Sequence, residues 1–101
     1  MQSFHDLLRN ARQQKGLLLR EAAAALKIDQ ALISKFEKGG RKPTRELVIQ
    51  FAKLYSIDKN DLLISWMSEK VAYDLQDEEM ANEILKAAEK KISYKRRTNK
   101  K

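Results

Sequence analysis

Residues 17–43 read LLLREAAAALKIDQALISKFEKGGRKP, and the organisation of the whole chain is decided here. Leu19 to Leu26 is made of strong helix formers. Its four successive alanines, Ala22 to Ala25, remove bulk on every face and let another helix cross closely. Lys27-Ile28-Asp29 then interrupts it, and Asp29 is a good side-chain cap for a third helix over Gln30 to Lys38. In that helix Ile33 and Phe36 point inward, while Gln30, Ser34 and Lys35 point elsewhere. Gly39-Gly40 stops it.

The flanks read in the same way. Ser3 followed by Asp6 resembles a capping box, and Phe4, Leu7, Leu8 and Ala11 recur at helical spacing, so a first helix runs to about Lys15 before Gly16 ends it. Pro43 and Thr44 start a fourth helix with Val48, Phe51, Ala52 and Tyr55 on one face, and Ile57 closes the core below it. Asp58 caps a fifth helix containing Leu62, Leu63 and Trp66, which ends by about Tyr73. Asp77 is the expected cap of a sixth, with Glu78 and Glu79 near its positive end and Ala81, Ile84, Leu85, Ala88 and Ile92 as its apolar stripe. Ser93 to Lys101 has no apolar periodicity and reads as a mobile tail. The expectation is an all-α chain: a five-helix domain over 1–66, a C-terminal helical extension over 67–92, and a basic flexible tail over 93–101.

A chain of 101 residues, 43% of them hydrophobic, suffices for one modest core and excludes wholesale disorder. Cysteine is absent, which removes disulfides and thiolate metal sites. The single histidine, His5, stands at the start of helix one, and neither Glu78-Glu79 nor any glycine loop forms a catalytic pattern. We therefore expect no enzyme, no cofactor and no metal. The longest apolar run, Ala22 to Leu26, is far too short for a membrane span, and no secretory pattern opens the sequence, so a cytoplasmic protein of bacterial or phage origin is expected. Charge is segregated. Residues 1–60 hold 12 Lys/Arg against 6 Asp/Glu, 61–89 hold 2 against 8, and 90–101 hold 7 against none. Positive blocks of this kind attract polyanions, of which nucleic acid is the commonest.

Two short helices, a three-residue turn with buried Ile28, and an exposed polar edge on the second helix have helix-turn-helix spacing. An ordinary hairpin in a helical bundle has the same periodicity. Beyond spacing, Arg12, Gly16-Leu17, Ala23, Leu26, Ile28, the run Ile33-Ser34-Lys35-Phe36-Glu37-Lys38-Gly39, Pro43, Ala52 and Ile57 stand in register over roughly Leu8 to Leu63. On these residues the chain resembles the phage-repressor-like Cro/CI, or XRE-type, regulators.

The resemblance implies five helices with the third reading double-stranded DNA, and an ion pair of Arg12 with Glu37 that fixes that helix. It places Gln30, Ala31, Ser34 and Lys35 towards base edges. Gln can pair bidentately with adenine, Lys can reach guanine, and Ala can touch a thymine methyl. Lys38, Arg41, Lys42 and Arg45 are expected on phosphates. Two residues depart from the family pattern: Leu18-Leu19 replaces a small polar cap and glutamine, and Lys27 occupies a turn position that is often glycine.

Beyond Leu63 the resemblance gives no guidance. Leu63, Trp66, Met67 and Tyr73 are candidates for a homodimer interface, because this region has more apolar surface than a small core needs; the sixth helix folding back on its own domain is the competing reading. A partner protein bound by the C-terminal helix, as in an antitoxin, and a restriction-modification controller are further readings. The basic tail fits either DNA or the acidic block.

Overall fold

In the computed structural model, residues 2–99 are described; Met1 and the tail positions Lys100 and Lys101 lie outside them. Six helices follow one another: α1 Phe4–Gln14, α2 Leu19–Leu26, α3 Gln30–Glu37, α4 Arg45–Tyr55, α5 Lys59–Leu75 and α6 Ala81–Thr98. There is no strand among the described residues, so the all-α expectation holds. Among the described residues, no helix is long and apolar enough to cross a membrane.

The boundaries have local causes. Ser3 accepts from the Asp6 N–H at 3.2 Å, Asp29 from that of Ala31 at 3.0 Å, Thr44 from that of Leu47 at 3.3 Å, and Asp58 from that of Asp61 at 3.0 Å. Each satisfies a donor that the helix itself leaves unpaired. Leu18 cannot do this. Instead Glu21 reaches back to accept from the Leu18 N–H at 2.8 Å, which is half of a capping box. α2 and α4 both end on non-glycine residues in the left-handed region, Lys27 at φ 57° and Ser56 at φ 56°. The sequence reading anticipates the first and misses the second.

The chain divides into two compact units, up to Lys70 and from Val71 on. In the first, Leu8, Ala22, Ile33, Val48, Phe51 and Leu62 are fully enclosed. α2 packs on α3 and α4, and α1 packs on the same two helices. Buried Ala22 and Ala23 fulfil the close-crossing role read from the alanine run. Phe51 is central: its ring meets Phe36 edge-on at 6.1 Å and Tyr55 at 5.6 Å.

Trp66 requires a correction. It is 6% exposed, and its indole N–H donates to the Pro43 carbonyl at 3.1 Å, so it belongs to the core of its own domain and not to an interface. Its amphipathic ring found an acceptor at the start of α4, which periodicity could not reveal. Leu63 is half-buried and packs against the same core, whereas Met67 and Tyr73 are exposed.

The second unit holds the end of α5 and all of α6, where two expectations fail. Asp77 is not a cap. The Glu78 N–H bonds to the Leu75 carbonyl and the Ala81 N–H to that of Glu78, a turn that postpones α6 until after Met80. Residues 93–98 are helical and not a tail. Extending an existing helix costs little, and Lys95, Arg96 and Arg97 complement the negative end of α6, so no apolar stripe is needed to carry it on.

Candidate nucleic-acid interface

The two sides of α3 differ completely. Ile33, Phe36 and Glu37 are buried, while Gln30, Ala31 and Lys35 are exposed and Ser34 is half-buried. Positions 30, 31, 34 and 35 form one continuous edge of a helix, so all four expected base-reading side chains come together on the free side.

A buried ion pair fixes the other side. Arg12 of α1 donates through Nε to Glu37 Oε2 at 2.7 Å and through Nη2 to Oε1 at 3.0 Å, and its Nη1 bonds the Leu17 carbonyl at 2.8 Å. A planar guanidinium is needed for this fork, and the third bond ties α3 to the turn before α2 as well. Hydrogen bonding to Glu37, outweighing the cost of burial, raises the Arg12 pKa above its ordinary value and keeps it charged. Beside the pair, burial and then the charge of Glu37, partly opposed by Arg12, push the Tyr55 phenol up to about 12. Its hydroxyl is buried without a hydrogen-bond partner.

The turn after α3 is shaped with equal care. Gly39 adopts φ 78°, and the Gly40 N–H returns to the Lys35 carbonyl at 3.0 Å. A Cβ at Gly39 would come within 3.0 Å of the His5 ring, so this histidine sits directly against the end of α3. Pro43 is buried, and its carbonyl is held by Trp66. The loop between is thereby anchored at both ends, with Lys38, Arg41 and Lys42 exposed along it and Arg45 exposed in the first turn of α4. Among the described residues, Lys35, Lys38, Arg41, Lys42 and Arg45 form no ion pair with a carboxylate. Their charges are available to an outside polyanion.

Sequence reasoning missed three contributors. Arg20 lines a depression of about 360 Å³ together with Arg12, Leu18, Leu19 and Gln30, which puts a cation next to the first residue of α3. Its place in the first turn of α2 was the available signal. Glu69 of α5 accepts from the Phe4 N–H at 2.9 Å and so holds the start of α1. His5 acts by packing, a role that no charge or spacing pattern announces.

Comparison with known proteins agrees with this geometry. A family model described as helix-turn-helix matches residues 8–62, which is α1 from its second turn through the first turn of α5. The HTH-type transcriptional regulator DdrOP3 of Deinococcus deserti is 38% identical over 58 residues, which are 57% of this chain and 45% of that protein. The match thus spans just under half of the relative's length.

Proposed function

The chain belongs to the helix-turn-helix family of DNA-binding transcription regulators, and from that premise we propose that it represses transcription by placing α3 of each of two copies in the major groove of a palindromic operator. One observation carries this reading: the polar edge of α3 is free while its back is clamped by the Arg12–Glu37 pair. A recognition element must be rigid, because each side chain that has to be ordered on binding subtracts from affinity.

On this reading Gln30 and Lys35 read base edges, Ala31 and Ser34 fill the contact between them, and Lys38, Arg41, Lys42 and Arg45 grip phosphates. Two-fold pairing would set the two α3 helices about 34 Å apart, one turn of duplex. A pair so placed covers enough of a promoter to exclude other proteins, hence repression. The chain then carries no reaction of its own.

The test separates the two kinds of contact. With an operator selected from random duplexes, Lys35→Ala should cost about 1–3 kcal/mol on that operator and relax preference at one base pair. Lys42→Ala should weaken all duplexes alike and flatten the salt dependence by about one unit. Equal losses from Lys35→Ala on operator and random DNA would remove α3 from base reading.

A further inference from the structure

α6 has an apolar stripe, Ala81, Ile84, Leu85, Ala88 and Ile92, with no buried member, and the middle of that stripe is symmetric along the chain. Ala88 is its centre. Ile84 and Ile92 stand four residues to either side, and Ala81 and Lys95 stand seven. With about 3.6 residues per turn these five positions share one face. Ile84 is 36% exposed and Ile92 52%, so the branched side chains of both arms are open.

Charge in the same unit is antisymmetric. Residues 71–85 contain Asp74, Asp77, Glu78, Glu79 and Glu83 and no Lys or Arg, whereas 90–97 contain Lys90, Lys91, Lys95, Arg96 and Arg97 and no Asp or Glu. This division suits the dipole of a single helix. The even placing of Ile84 and Ile92 about Ala88 does not follow from the dipole, and an exposed apolar stripe of this length marks a binding face.

A face with Ile84 and Ile92 evenly placed about Ala88, preceded by an acidic turn and ending in a basic one, fits a second copy of itself laid antiparallel. We propose that α6 pairs with α6 of a second copy in this way, with the two-fold axis at Ala88. Ile84 of one copy then meets Ile92 of the other, and the single methyl of Ala88 lets the two helices approach closely. The basic last turn, Lys95 to Arg97, lies against the acidic turn Asp77 to Glu79 that leads into the other helix. A parallel pair would set acid against acid and base against base. The pairing is isologous, as a two-fold contact must be. It rests on the two-copy reading above and supplies its interface.

The absence of cysteine makes the orientation directly measurable in the full chain without DNA. One preparation carries Ala81→Cys and another Lys95→Cys, substitutions at the two ends of the stripe that leave Ile84, Ala88 and Ile92 in place. Mixed and gently oxidised, they should give chiefly the mixed disulfide. In a parallel pair positions 81 and 95 would lie about 21 Å apart along the axis. A mixture of Glu83→Cys with Ser93→Cys, at matched levels on the opposite face, should stay largely unlinked. Homodisulfides alone, or equal yields from the two mixtures, would overturn the proposal. So would a wild-type chain that sediments as a monomer at its solubility limit. Ile84→Glu/Ile92→Glu should sediment as a monomer while still binding a single half-site. Loss of half-site binding in Lys35→Ala with cross-linking intact would instead speak to α3 and leave the pairing standing.

Discussion

α3 and α6 are both amphipathic, yet the chain treats them in opposite ways. The inner side of α3 is enclosed by α1 and α2, its end is clamped by Arg12, and the turn beyond it is held by packing against His5. α6 is more than twice as long and buries nothing. An apolar stripe states that a helix has a partner; it does not say which molecule supplies it. Where the partner is in the same chain, the polar edge becomes rigid and available for recognition. Where none of the stripe is buried, as in α6, the proposed pairing makes the stripe itself the contact surface.

The most severe challenge to this contrast is a pair of truncations. Phe51→Ala should cost about 3–5 kcal/mol, because a central ring is removed from a core that cannot collapse around the gap. Ile92→Ala, assayed by urea denaturation at dilutions where the chain is monomeric, should stay within about 0.5 kcal/mol. Comparable losses at the two positions would mean that α6 contributes to the same cooperative core.

Glu37→Ala tests the clamp. It leaves Arg12 charged and nearly enclosed, at a cost of about 3 kcal/mol by the same denaturation measurement, and it should loosen α3 selectively in amide exchange. Uniform loosening across α1–α5 would show that the pair supports the domain in general and not α3 in particular.

Alkaline pH probes the same spot through Tyr55. Its folded pKa, about 12, lies above the ordinary value of 10.0. The unfolded chain therefore gives up this proton first. The stabilisation is fully present below pH 10 and is lost as pH rises through 12, about 2–3 kcal/mol in all. Tyr55→Phe should remove that dependence and be neutral or stabilising at pH 7, since it deletes a hydroxyl that has no partner. A destabilised Phe variant would reveal a hydrogen bond to the hydroxyl.

Smallest of all, Trp66→Phe should cost about 1 kcal/mol through the lost bond to Pro43 and leave sedimentation unchanged. A shift towards monomer would return Trp66 to an interface.

How much of this was legible in the sequence differs along the same divide. Caps, glycine stops and helical periodicity act over a few residues, so α1 to α4 and the free edge of α3 could be read directly. The Arg12–Glu37 pair, 25 residues apart, came only through family resemblance. Trp66 was misplaced because a carbonyl at Pro43, not its own periodicity, decides its burial. The start of α6 was misread because Asp77 offered a cap that the preceding turn left unused, and its end because helix propagation continues without an apolar stripe once nucleation is complete.

The left-handed ends of α2 and α4 have a consequence for how this domain can change. Lys27 and Ser56 each accept a backbone shape that glycine adopts without a clash, and neither side chain is buried. Glycine at either place should recover roughly 0.5–1 kcal/mol. The domain thus holds an untapped reserve of stability at two positions outside the α3 edge. A lineage that rewrites the α3 edge at some structural cost can draw on it without touching that edge.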